Sequence, residues 1–394
     1  MKSNTCPGFK FAGIASGIKV NGNLDLGLII SEKEADIAAV FTKNLVCAAP
    51  VLLCKERIKQ GRANAIIANS GNANCCTGEE GMKNAIRMTK AVSDVLEISD
   101  DKVFCASTGV IGEPMPVEKI EESASKLIES ASSEGMNNFA TAIMTTDLVS
   151  KIYTTKREVA GKTITVTGAA KGSGMIQPGM ATMLCFICTD MGIASQDLYK
   201  VLLEGTDKSF NRITVDGDMS TNDTVMVMAN GMSGLTSEDP EAMKAFDEML
   251  TETLLALAKM VVKDGEGATK LVKIEVNGAP TNNDALLAAR EIANSNLVKT
   301  ALFGEDANWG RIIAAAGRSG AKLDQTKIDI FFNDVQMVKD GMGLGKQVEA
   351  EVSKILKFPE YTIRLELNIG KGKDFMYTCD FSYDYVKINI SYRS

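Results

Sequence analysis

Residues 171–190 read KGSGMIQPGMATMLCFICTD and hold the sharpest chemical feature of the chain. Glycines and a proline lead to a small residue, Ala181, and then to a hydroxyl, Thr182, and a strand-like apolar run follows at once. Gly179 opens backbone angles closed to other residues, and Pro178 fixes its own φ. Such a turn can press the Thr182 hydroxyl onto the Ala181 carbonyl. Attack there would move the acyl group from nitrogen to oxygen, and hydrolysis of the ester would leave Thr182 as a new chain end. Its freed α-amino group would then stand beside its own hydroxyl. The sequence contains no histidine. That excludes Ser-His-Asp and Cys-His machinery, histidine-held zinc and the usual proton shuttle of neutral pH. The base must be a tuned carboxylate, a desolvated lysine or an α-amino group, whose unperturbed pKa is about 7.7–8.0. A Gly/Pro turn before a strand is also a common structural loop, and from the residues alone both readings stand.

Other reactive residue types carry weaker signals. Cys185 and Cys188 have CxxC spacing. Three residues apart on a strand they face opposite sides, so they cannot pinch one metal. Nine cysteines, an odd number without framework spacing, read as reduced and mostly buried. DGDMSTND at 216–223 has the look of a carboxylate metal cluster. GRIIAAAGRSG at 310–320 lacks the GK[ST] ending of a phosphate loop. Trp309, the sole tryptophan, reads as packing.

These residues need a frame. Met82, Ala85, Met88, Val92 and Leu96 recur at helical spacing within 79–96. Ser195 can cap a helix through Leu198, Val201 and Leu202. The clearest helix starts after Pro240, with Met243, Phe246, Leu250, Leu254, Leu257 and Val261 on one stripe, and Gly265 fits a C′ stop. A further helix is predicted over Asp284–Ala293. Strands are predicted over Lys162–Thr167, Thr182–Cys188, Leu271–Val276, Ile328–Phe332 and Tyr361–Ile369. The last of these leads through GKGK into Phe375–Phe381, a hairpin pattern. Strands and helices mix without regular βαβ alternation, which predicts α+β layers, sheet on sheet with helices outside.

At 394 residues the chain suits one large domain or two ordinary ones. A net charge of −7 leaves no basic excess for phosphates, arguing against nucleic acid or an anionic membrane. No apolar run is long enough to span a bilayer, and MKSNTCPGFKFAG has no apolar signal core, so the cytoplasm is the expected location.

KGSGMIQPGMATML closely resembles the self-cleavage signature of the ornithine acetyltransferase family, the bifunctional glutamate N-acetyltransferases. In the same order, so do NSGNANCCTG at 69–78, CASTGVIG at 105–112, MTTD at 144–147, DGDMSTND at 216–223, KDGEGATK at 263–270, DANWGR at 306–311 and the terminal INISYRS. The resemblance spans nearly the whole chain. It implies a layered αββα sandwich of mixed sheets with outer helices, of the self-processing N-terminal-nucleophile type. It implies cleavage between Ala181 and Thr182 into chains 1–181 and 182–394, assembled as two of each. The activity implied is ping-pong transfer of acetyl from N2-acetylornithine to glutamate through an ester on Thr182, without metal or cofactor. Whether acetyl-CoA is also a donor stays open.

The same resemblance assigns Thr108 and Gly109 to the oxyanion site, where a hydroxyl and a backbone N–H can donate to a developing alkoxide. It assigns substrate contacts to Thr145, Lys171, Glu266, Asn389 and Ser394, with Thr146 an alternative to Thr145. Ser394 stands where family members often carry threonine. DGDMSTND then reads as turn and active-site support. Two rivals remain: a self-processing amidohydrolase that passes its acyl group to water, and a non-enzymatic small-molecule binder with an uncut loop.

Overall fold

The computed structural model describes residues 4–177 and 183–391. Pro178, Gly179, Ala181, Thr182 and Ser394, on which several sequence expectations fall, lie outside the described residues. The chain folds as two compact units. One comprises the chain up to Asn211 together with Asp218–Val261, and the other comprises Arg212–Gly217 and the stretch from Val262 to Tyr392.

The first unit contains strands β1 (Phe9–Ile14), β2 (Leu26–Phe41), β3 (Arg62–Asn72), β4 (Val103–Val110), β5 (Lys151–Val159), β6 (Lys162–Lys171), β7 (Leu184–Thr189) and β8 (Thr224–Ala229). They form one mixed sheet in the order β4-β3-β2-β8-β7-β6-β5, with β1 on β2. β3 and β4 are parallel, as are β7 and β8, and the remaining neighbours are antiparallel. β7 (LCFICT) and β8 (TVMVMA) lie in the middle and are buried along their whole length. Burial on both faces is why they read as continuous apolar runs rather than alternating ones. On one face Phe186 and Cys188 join a core with Met88 and Val92 of the helix Gly78–Leu96 and Phe139 of the helix Met136–Ala142. On the other, Leu257 of the helix Pro240–Lys263 packs by Gly168 and Ile187. Cys185 and Cys188 are both buried, and burial pushes both thiols well up.

The second unit has a mixed six-stranded sheet of β9 (Leu271–Ala279), β10 (Asp329–Phe332), β11 (Val335–Lys339), β12 (Met342–Gly343), β13 (Glu360–Glu366) and β14 (Gly372–Cys379), in the order β12-β11-β10-β13-β9-β14. Its core joins Ile363 and Leu365 of β13 to Ala285, Ala289 and Ile292 of the helix Asn282–Ala293. Trp309 packs at the edge of that core. Two mixed sheets with helices make the α+β class expected from the sequence.

Three local expectations are corrected. β13 and β14 do not pair: β9 runs between them, parallel to β13 and antiparallel to β14. Alternation fixes which side of a strand is buried but not its neighbour, and the residues between β13 and β14 are long enough to step over one strand. Ala194, not Ser195, is the N-cap of the helix Ser195–Asp207, and no side chain caps it. Gly265 lacks the left-handed conformation of a C′ residue; the positive φ nearby belongs to Gly267 (+69°), four residues past the helix end. A Cβ at Gly265 would lie 3.0 Å from the Val262 carbonyl oxygen and 3.2 Å from Cys379 Sγ, so close packing accounts for it.

Candidate active site

β6 carries the apolar run that ends on Lys171, whose side chain is buried. Its ammonium donates to Thr145 Oγ1 at 2.8 Å and reaches Thr108 Oγ1 at 3.4 Å. It also lies 3.9 Å from Asp147 Oδ2. The turn that holds Thr145 is organised by Asp147. This carboxylate accepts from the Thr145 N–H at 3.0 Å, the Gly172 N–H at 2.7 Å and Lys151 Nζ at 2.6 Å. Burial alone would raise its pKa, but Lys171 and Lys151, with the Gly172 N–H, hold it down to about 2. Thr146 points elsewhere and shares a 2.7 Å hydrogen bond with Ser173.

Thr108 and Gly109 close β4, beside Ser70 and Gly71 of β3. Gly109 has φ +132°, and a Cβ there would lie 2.4 Å from the Gly71 carbonyl carbon and 2.6 Å from Asn72 N. Only glycine fits, and that fit aligns the end of the strand. Asn222 donates to the carbonyls of Ala73 (2.7 Å) and Ser107 (2.8 Å), tying the 216–223 segment to the residue before Thr108. Asp223 Oδ1 accepts the Met183 N–H at 3.0 Å, and Met183 O accepts from Thr224 N at 3.1 Å. Lys171 pairs with Leu184 across β6 and β7. Thr108, Thr145 and Lys171 therefore meet where β7 begins.

A cavity of about 390 Å³ lies alongside, lined by Lys19, Gly22, Asn23, Leu24, Thr141, Met144, Thr145 and Asp147. Lys19 Nζ donates to the carbonyls of Met144 (2.7 Å) and Leu24 (2.9 Å). Burial lowers its pKa, Asp25 opposes that, and Lys171 adds to it.

Glu266 and Asn389 belong to the second unit, where the structure brings them together. Asn389 Nδ2 donates to Glu266 Oε2 at 2.8 Å and to the Tyr385 carbonyl at 2.9 Å. Glu266 is buried and Asn389 exposed. Sequence reasoning missed Asp147, Lys151 and Lys19. Asp147 closes the MTTD motif and was visible there, but nothing local marks Lys151 or Lys19, because their roles come from contacts across the fold.

These features define a class: an α+β protein that keeps a cluster of cation, carboxylate and hydroxyls dry at the ends of its strands. The chain belongs to the ArgJ family, whose model matches residues 10–394. It is 48% identical over 389 residues to the arginine biosynthesis bifunctional protein ArgJ of Geobacter sulfurreducens, with 98% of this chain and 99% of that one covered. It is 46% identical over 397 residues to the glutamate N-acetyltransferase of Methanocaldococcus jannaschii, with 98% and 96% covered. Among solved structures, the arginine biosynthesis bifunctional protein argJ of Bacillus halodurans aligns with a TM-score of 0.50 at 42% identity. That alignment covers 52% of this chain and 98% of that one. No described helix is long and apolar enough to cross a membrane.

Proposed function

We propose that the chain is an acetyltransferase that cuts itself before Thr182 and then carries acetyl on Thr182 from N2-acetylornithine to glutamate, in arginine biosynthesis. The observation that carries the reading is the gathering of Lys171, Thr145, Thr108 and Gly109 at the start of β7, two residues beyond Thr182. The lengths of the relatives support the cut. The crystallised Bacillus halodurans chain corresponds to 52% of this one, whereas the Geobacter sulfurreducens relative matches end to end. Half-length chains are what cleavage near the middle of a full-length precursor leaves.

The Thr182 hydroxyl attacks the acetamide carbon while its own α-amino group takes the proton. The Thr108 hydroxyl and the Gly109 N–H donate to the oxyanion. Lys171 is placed to donate to the Thr108 oxygen, which leaves that hydroxyl's own proton for the substrate. The C–N bond breaks, ornithine leaves with the proton, and acetyl stays as an ester. The amine of glutamate attacks the ester, releases N-acetylglutamate and restores the hydroxyl. Lys171 meets the α-carboxylate that both substrates carry, Glu266 meets the ornithine ammonium, and Thr145, Asn389 and Ser394 are further substrate contacts. A tetramer of two chains of each kind completes the reading, and an assay of glutamate acetylation with acetyl-CoA decides whether that is a second donor.

The test is mass spectrometry of the purified protein with N-acetylornithine and no acceptor. The expected result is a shorter chain starting TMLCF that gains one acetyl group and loses it to glutamate. Thr182→Ala should stay whole and take no label. An intact, fully active chain, or acetyl found on a cysteine, would overturn the assignment. Acetyl released to water in the presence of glutamate would favour the hydrolase.

A further inference from the structure

The carboxyl of Asp223 is fully buried at the end of the 216–223 segment, and nothing in the acetyl-transfer steps uses it. Its Oδ1 accepts the Met183 N–H at 3.0 Å, and that nitrogen is bonded directly to the Thr182 carbonyl carbon. Its backbone oxygen accepts from Thr42 N at 2.9 Å, which fixes the residue to the end of β2. Its Oδ2 is buried without a hydrogen-bond partner. Two hydroxyls stand close: Thr42 Oγ1 donates to the Ser220 carbonyl at 2.7 Å, and Ser220 Oγ accepts from Asn222 N at 3.0 Å.

We propose that Asp223 is a positioning residue for Thr182, its carboxyl gripping the peptide just after the nucleophile so that the hydroxyl stays aligned on the carbonyl that it attacks. The inference rests on the Thr182 reading above. A carboxylate with one bare oxygen in a dry site is costly, whereas a neutral acid can make the same bond through Oδ1. The local charges agree. Burial pushes the pKa well above the usual carboxylate range, against the Met183 N–H, Lys171 (the charged group that faces it from β6) and the Ser220 and Thr42 hydroxyls. The site thus favours the neutral acid, and the rearrangement needed to solvate an ionised Asp223 would cost the alignment.

The experiment follows self-cleavage of freshly translated precursor on denaturing gels for wild type, Asp223→Asn and Asp223→Ala, then the steady-state kinetics of each mature enzyme. Asparagine keeps the acceptor oxygen and stays neutral, so D223N should cleave and turn over close to wild type. D223A should cleave roughly 10–100-fold more slowly, the loss falling on kcat rather than KM. In the precursor Thr182 has no free amine to titrate, so wild-type cleavage should slow as rising pH ionises Asp223, while D223N stays flat. That comparison decides the matter if D223A does not fold. D223N as slow as D223A, a wild-type rate in D223A, or the same pH profile in wild type and D223N would each overturn the proposal. A wild-type chain that never cuts would remove the Thr182 reading and this one with it. Normal wild-type cutting beside an unaffected D223A would remove this one alone.

Discussion

At the scale of the residue, the site depends on the balance between Asp147 and the two lysines beside it. Asp147 is buried between Lys151 and Lys171, and these hold its pKa at about 2, below its ordinary 3.8. The folded value is depressed, so the stability that it contributes is present above about pH 4 and is lost as pH falls through about 2. The shift corresponds to roughly 2 kcal/mol. Asp147→Asn should therefore lower the unfolding free energy at pH 6, and the gap to wild type should shrink steadily in urea titrations taken towards pH 2. A gap independent of pH would take Asp147 out of the charge balance. Thr108, Thr145 and Lys171 were legible in the sequence because each stands in a short distinctive motif. Lys151 was not, because a lysine on a strand carries no local sign that a carboxylate four residues earlier is buried with it.

Elements decide where those residues sit. β3 and β4 approach so closely at their ends that Gly109 has no room for a methyl group. Gly109→Ala must accept both φ near +132° and contact with the Gly71 carbonyl carbon, and should cost roughly 2–4 kcal/mol together with activity. Gly112 is the control, with φ +83° and nothing within 4 Å of the position of its Cβ. Gly112→Ala should cost about 1 kcal/mol and leave the oxyanion site in place. Equal unfolding midpoints for the two variants would show that crowding at the strand ends is unimportant. The sequence predicts the helices Gly78–Leu96 and Pro240–Lys263 and the alternating β13 because a 3.6- or 2-residue period is local information. β2, β3, β4 and β8 were not assigned. These strands are mostly buried, and polar residues interrupt β2 and β3 without a regular period, so no alternation marks them.

At the scale of the molecule, the sheet order gives self-cleavage a particular consequence. A cut before Thr182 assigns β4, β3, β2, β6 and β5 to one chain and β7 and β8 to the other. In space β8 pairs with β2 and β7 with β6, so the second chain's strands are inserted between those of the first. The cut chains should therefore co-elute on size exclusion and separate only in denaturant. The 1–181 fragment expressed alone, deprived of the two central strands, should be insoluble or unfolded by circular dichroism. A folded, monomeric 1–181 fragment would show that the sheet closes without them.

The sequence by itself determined the chemistry on offer. With no histidine, a threonine after a Gly/Pro turn and ordered motifs along nearly the whole chain, it pointed to one family, which the family match shows, and offered Thr182 as the nucleophile to test. Those are properties of residue type and short spacing, which do not depend on the fold. Tertiary structure alone decided that Lys171 reaches Thr145 and not Thr146, that two lysines hold the Asp147 pKa down while burial pushes that of Asp223 up, and that β9 separates β13 from β14. Each of these follows from partners far apart in the chain. Burial and distance set charge and pairing, and neither exists before the strands are in register.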